Sequence, residues 1–175
     1  QKNVDTGMGL ERILVALNGG SVFDTDLYKN VMAKIKELSD KDIQNDAEYK
    51  KAARIVADHT RTATFIIGDR KGVTPSNVDQ GYVLRRLIRR AIRYGMKLNM
   101  PENSIVELAS LIVDEYSDVY SDIAGNKEKI LNENSEIKLL LDNFWKNFEI
   151  KNIENLQLNE NNIKFNQEHT SLINE

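Results

Sequence analysis

The sequence predicts a mainly α protein, a helical array that follows a short strand–turn–helix. Apolar residues recur at intervals of three and four along most of the chain, which is the period of an amphipathic helix. Most of these stretches begin near a good helix-capping residue and end near glycine, asparagine or proline. A Gly-x-Gly turn appears only near the start, so we expect the strand–turn–helix there.

The first elements follow directly from the glycines. Residues 2–6 are expected to form the end of a strand, and Gly7-Met8-Gly9 a tight turn in which small residues let the backbone bend or approach a ligand. A helix over Leu10 to Leu17 follows, because Asn18-Gly19-Gly20 stops it.

Five further helices are predicted, with residues 150–175 as a weakly ordered tail or a small extension. Asp24 or Thr25 caps the first, Asp46 the second, and a serine at position 104 precedes the fourth. The loop of residues 69–79 contains Gly72 and Pro75. The first two of these helices end near Leu38 and Gly68. The other three span Gln80–Lys97, Ile105–Tyr116 and about Lys127–Phe148.

Composition excludes several classes of site. The chain has 175 residues, 41% of them hydrophobic, with no cysteine and only His59 and His169 as histidines. Disulfides and thiolate metal sites are therefore excluded, and we expect no metal site. No apolar run approaches the roughly 20 residues of a membrane span, so we expect no membrane partner. His59 falls on an apolar stripe and is expected to be a hydrogen-bonded core residue.

The segment from Val4 to Arg12 is the first candidate site. A Gly-x-Gly turn before a helix places backbone amides and the positive end of the helix dipole together, which favours anions. Arg12 lies early in that helix, where its guanidinium could reach a phosphate or lie on a base. Asp5 offers a fixed negative charge to an ammonium group. The alternative is a turn that only packs a helix on a strand, with Glu11 and Arg12 in solvent.

The helix over Gln80–Lys97 is the second candidate site, because it concentrates positive charge on one side. Like charges four residues apart cost helix stability, so a chain of net charge −3 that tolerates them is expected to have an anionic partner there. The apolar half contains Val83, Leu84, Leu87, Ile88, Ala91 and Ile92. The cationic half contains Arg85, Arg86, Arg89, Arg90, Arg93 and Lys97.

The loop before this helix delivers polar side chains to its start. The carboxamide of Asn77 can both donate and accept, so it could read a base edge in the shallow minor groove of RNA. Its alternative role is that of a turn or capping residue. For the arginines, the alternative is that carboxylates such as Asp58 or Asp79 neutralise them. Asp58 and Arg61 could equally form a structural pair or contact RNA.

The front segment resembles a known motif. Residues Asp5 to Arg12, read as Asp-Thr-Gly-Met-Gly-Leu-Glu-Arg, are similar to motif 3 of class II aminoacyl-tRNA synthetases, in the form that alanyl-tRNA synthetases carry. The resemblance implies that Arg12 contacts ATP and that Gly7 and Gly9 line the adenylate pocket. It also implies that Asp5 pairs with the ammonium of alanine, so Asp5 and Arg12 are the expected catalytic residues.

Three further strings resemble the tRNA-recognition region of the same family. They are residues 55–61, Pro75-Ser76-Asn77 and residues 81–91. The resemblance implies that Asn77 contacts the wobble G·U pair in the acceptor stem of alanine tRNA. It also implies that the cationic helix contacts that stem, with Arg89 as the best candidate for a backbone clamp. The expected tRNA-binding residues are Asn77, Arg85, Arg86, Arg89, Arg90 and Arg93.

The resemblance implies a domain plan and an activity. Residues 1–22 would end an aminoacylation domain, residues 23–149 would form the helical tRNA-recognition domain, and residues 150–175 would be weakly ordered or a small extension. The chain lacks an initiator methionine and the first two class II motifs, so we expect an inactive fragment of a cytoplasmic ligase. That ligase would use ATP with Mg²⁺, alanine and tRNA(Ala). The alternative is a non-catalytic tRNA-binding paralogue that kept the helical domain.

Overall fold

The regular elements are helical throughout the described part of the chain. A computed structural model describes residue 3 and residues 7–135, which belong to one unit, Gln1–Ile137. The mainly α class is therefore confirmed. The predicted strand lies outside the described residues except for Asn3, which has no regular structure, and so do the end of the last predicted helix and the tail.

Six α-helices and one 3-10 turn are followed by helical residues up to the end of the described part. The 3-10 turn is Val22–Asp24, and residues 127–135 are also helical. The α-helices are α1 (Leu10–Asn18), α2 (Asp26–Leu38), α3 (Ala47–Gly68), α4 (Asp79–Lys97), α5 (Ser104–Tyr116) and α6 (Ser121–Gly125). No described helix is both long and apolar enough to cross a membrane.

The helix boundaries follow from local chemistry. The Asp46 side chain accepts hydrogen bonds from the amides of Glu48 and Tyr49 at 2.7 and 3.0 Å, which caps α3 as predicted. The backbone of Gly19 has φ 74°, so a residue that tolerates the left-handed region ends α1. Thr25, one of the two predicted candidates, is the N-cap of α2. Asp24 lies in the 3-10 turn, where its carboxylate accepts the amide of Ser21 at 2.9 Å.

Helix α3 is the centre of the array and packs against α2, α4, α5 and α6. Its buried positions are largely small, so neighbouring helices can approach closely. The most extensive of these contacts is with α4. The fully buried residues on α3 include Ala52, Ala53, Val56, Ala57, Ala63 and Ile67.

Helix α4 buries the centre of its predicted apolar half against the array. Leu84, Ile88 and Ala91 are at most 1% exposed. Val83 departs from the prediction and is 56% exposed. It lies about 100° round the helix from Leu84, so it falls at the margin of the buried face. The opposite side of α4, which carries the arginines, is therefore left at the surface.

Candidate nucleic-acid interface

The arginines of α4 lie on the surface of the helical array. Arg85 is half-buried and the other four are exposed. None of the five forms an ion pair with a carboxylate in the described part of the chain. Asp58, one of the acids considered as a neutralising partner, instead contacts Nδ1 of His59 at 2.8 Å. The positive charge of this face is therefore not paired with any carboxylate of the described residues.

Aromatic rings hold two of these arginines without neutralising them. The guanidinium of Arg86 lies 5.8 Å from the ring centre of Tyr82, one turn earlier. The guanidinium of Arg90 lies 5.8 Å from the ring centre of Tyr94. A ring attracts a cation through its quadrupole and leaves the full charge in place. Lys97 differs, because it pairs with Glu48 of α3.

The loop before α4 is folded tightly onto the first turn of the helix. The amide of Ser76 donates to the carbonyl of Gly81 at 3.1 Å, and the Ser76 hydroxyl donates to the carbonyl of Val78 at 2.8 Å. A Cβ on Gly81 would stand 2.3 Å from the Ser76 hydroxyl, so this approach requires glycine. The loop thereby fixes the position of Asn77, which is exposed at the start of the helix.

Asn77 and Arg85 contact each other directly. A guanidinium nitrogen of Arg85 donates to Oδ1 of Asn77. Because arginine can only donate, the carboxamide oxygen must face Arg85, and its NH₂ group points the other way. Asn77 is therefore an oriented donor at the start of the cationic face, rather than the cap of α4, whose capping residue is Val78.

The predicted anion site stands at the start of α1. Gly9 is the N-cap of this helix, and Gly7, Met8 and Gly9 are all exposed. Arg12 is also exposed and forms no ion pair with a described carboxylate. The structure thus brings Gly7, Gly9 and Arg12 to one exposed helix end. Asp5 lies outside the described residues.

Glu11, the neighbour of Arg12, is not in free solvent. Arg61 of α3 donates from Nη1 to Oε1 of Glu11 at 2.9 Å. The pKa of Glu11 is held below its ordinary value, chiefly by a hydrogen bond from its own backbone amide and then by Arg61. The carboxylate therefore stays charged at neutral pH, and it ties α1 to α3.

Arg61 stands in an aromatic cage that the sequence did not indicate. Its guanidinium lies 5.1 to 5.4 Å from the ring centres of Tyr28, Phe65 and Tyr116. Burial alone would lower the pKa of Arg61, but contacts with Tyr116 and Glu11 outweigh it and raise the pKa. Of the two roles considered for Arg61, these contacts favour a structural one, with Glu11 rather than Asp58 as its partner.

His59 lies within the packed side of α3 as expected, with 12% of its side chain exposed. Its contact with Asp58 holds the pKa of that carboxyl below the ordinary value. No group of three or more histidine, aspartate or glutamate side chains in the described part of the chain could hold a metal ion.

Comparison with known proteins identifies relatives over most of the chain. A family model described as tRNA synthetases class II (A) matches residues 1–138. An alanine–tRNA ligase of Borrelia hermsii is 43% identical over 131 residues, which cover 74% of this chain and 22% of the relative. An alanine–tRNA ligase of Bacillus cytotoxicus is 43% identical over 132 residues, covering 74% of this chain and 15% of the relative. The chain thus spans about a fifth or less of the length of these relatives.

Proposed function

Because the chain belongs to the family of class II tRNA synthetases (A), we propose that it is a segment of an alanine–tRNA ligase. The whole enzyme would activate alanine with ATP, forming an alanyl adenylate and pyrophosphate, and would then transfer the alanyl group to the 3′ end of tRNA(Ala). The similarity of this chain to the alanine–tRNA ligases of two bacteria supports this proposal. This segment would supply contacts to ATP and alanine and would bind the acceptor stem.

At the front of the segment, the residues around α1 would hold the nucleotide. Arg12 is exposed and unpaired among the described residues, so its guanidinium is available to a phosphate. Gly7 and Gly9 present backbone without side chains at the positive end of the helix. Asp5 would hold the ammonium of alanine. Mg²⁺ would neutralise the phosphates of ATP, and the described residues contain no cluster of acidic and histidine side chains that could hold it.

The uncompensated arginine face of α4 is the observation that carries the tRNA proposal. Arginine matches phosphate geometry, and removing bound counterions from RNA gives basic surfaces much of their affinity. Pairing these side chains with carboxylates would have served folding better, since like charges on one helix repel. The exposed set therefore fits the sugar–phosphate backbone of an acceptor stem.

Asn77 would give this surface its sequence preference. Its oxygen is bound by Arg85, so the NH₂ group is the part that can reach the RNA. The minor groove of A-form RNA is wide and shallow and exposes base edges rich in acceptors. A G·C pair offers the same kinds of acceptor, so this NH₂ group would distinguish the G·U pair by the displaced position of its uracil oxygen, while the arginines hold the backbone on either side.

The proposal is tested with a hairpin RNA that reproduces the acceptor stem of alanine tRNA. We expect the 175-residue chain to bind the hairpin with the G·U pair more tightly than one in which G·C replaces it. Asn77→Ala should weaken binding to the G·U hairpin and bring the two affinities together, at a cost of about 1–3 kcal/mol. Equal affinities of the unaltered chain for both hairpins would contradict the assignment of Asn77.

The nucleotide half of the proposal needs its own measurement. We expect the isolated chain not to catalyse ATP–pyrophosphate exchange with alanine, because the first two class II motifs are not in its sequence. In the whole enzyme, Arg12→Ala should slow exchange, while Arg70→Ala, in the exposed loop after α3, should not. Exchange by the isolated chain, or an unaffected Arg12→Ala enzyme, would contradict this half. A non-catalytic paralogue would show RNA binding with no exchange in the whole protein.

A further inference from the structure

A cleft of about 480 Å³ opens between the 3-10 turn, α3 and α4, beside the arginine face. The strings that resemble the tRNA-recognition region account for only part of its lining. Its apolar floor is formed by Phe23, Ala47 and Ile55. Its polar lining consists of Lys50, Lys51, Arg54, Asp58, His59 and Arg90.

The charge of this cleft is strongly positive. Four of its side chains are cations, and none of them forms an ion pair with a carboxylate in the described part of the chain. The one acid, Asp58, is already engaged by His59 at 2.8 Å. A neighbouring cleft of about 410 Å³ shares Lys50 and Arg54 but also contains Asp24. The larger cleft is therefore the better anion site.

The aromatic ring in the cleft points to a phosphate rather than a stacked base. The guanidinium of Arg54 lies 5.2 Å from the ring centre of Phe23, and the ring of Tyr28 packs against Phe23 at 5.0 Å. A base would have to displace one of these neighbours. Arg54 also donates to the hydroxyl of Ser21 at 3.3 Å, so its charge is positioned in advance.

Arg90 joins this cleft to the arginine face, since it belongs to both. We propose that the cleft binds a backbone phosphate of the same RNA that lies on α4, so that the RNA path crosses from α4 onto α3. This inference rests on the proposed function, because it assumes RNA on the arginine face. The ligand is a phosphodiester, held by Lys50, Lys51 and Arg90 around the fixed Arg54.

The test compares charge-removing variants of the 175-residue chain by the salt dependence of hairpin binding. Lys50→Gln/Lys51→Gln removes two exposed cations and preserves helix propensity. We expect the slope of log affinity against log salt to fall by about 0.7 to 0.9 for each phosphate that the variant no longer neutralises. Lys29→Gln serves as the matched control, because Lys29 is exposed on α2 and lines neither cleft. It should leave the slope nearly unchanged.

Arg89→Ala separates failure of this inference from failure of the proposed function. If Arg89→Ala lowers the slope and the double lysine variant behaves like Lys29→Gln, the cleft assignment is overturned and RNA binding on α4 stands. If neither variant changes the slope, both proposals fail. Chemical acetylation adds a second readout: the hairpin should protect Lys50 and Lys51 but not Lys29. Protection by inorganic phosphate and not by the hairpin would show a small-anion site and overturn the RNA path.

Discussion

Arg61 of α3 donates a hydrogen bond to the carboxylate of Glu11 on α1, with 2.9 Å between Nη1 and Oε1. Helix α1 has no fully buried side chain and packs against the 3-10 turn, and this ion pair joins it to α3. The next residue along α1 is Arg12, the proposed ATP ligand. The proposed nucleotide contact and the proposed RNA surface are therefore linked through α3, which packs against α4.

Replacing Arg61 by lysine should destabilise the chain by about 1–2 kcal/mol, because an ammonium cannot lie against three rings at once and still reach Glu11. The measurement is the free energy of unfolding in urea. Arg70→Lys is the control, since Arg70 is exposed in the loop after α3 and should change stability by less than about 0.5 kcal/mol. Equal losses in the two variants would show that the cage adds nothing to stability.

The link through Glu11 should weaken in acid. The pKa of Glu11 is lowered from its ordinary value of 4.5, so its charged form is favoured in the folded chain. The stability that the ionised Glu11 contributes is fully present above pH 4.5 and is lost as the pH falls through the lowered pKa. The stability difference between the unaltered chain and Glu11→Gln should therefore be largest near neutral pH and disappear in acid. A difference that stays constant with pH would contradict the ion pair.

The Glu11–Arg61 link shows what the sequence could not reveal. The cage and its carboxylate partner combine side chains from four helices that lie far apart along the chain, and no local period or spacing connects them. The cap of α3 and the cationic side of α4 were predictable, because each depends on residues within a few turns of one another. The exposure of Val83 was missed for the same reason as the cage, since a helical wheel does not show how far a neighbouring helix extends.

Alanine substitutions at two glycines of α4 should change the stability of the chain in opposite directions. Gly81→Ala places a Cβ 2.3 Å from the Ser76 hydroxyl and 2.6 Å from the carbonyl of Thr74, so the loop that carries Asn77 must shift. We expect lower stability and weaker hairpin binding. Gly95→Ala meets nothing closer than 3.8 Å and should stabilise the helix by up to about 1 kcal/mol. Thermal unfolding and hairpin affinity together test this pair.

The contact between Arg85 and Asn77 should separate affinity from discrimination. Arg85→Met removes one cation and also releases the carboxamide oxygen of Asn77, so its NH₂ group is no longer held in a fixed direction. We expect weaker hairpin binding together with a smaller preference for G·U over G·C. Arg86→Met is the matched control, because Arg86 contacts the ring of Tyr82 and not Asn77. That variant should bind both hairpins less tightly and keep their ratio. If Arg85→Met also keeps the ratio, Arg85 acts as a phosphate contact alone, and the orientation of Asn77 must come from the tight turn that Ser76 and Gly81 form.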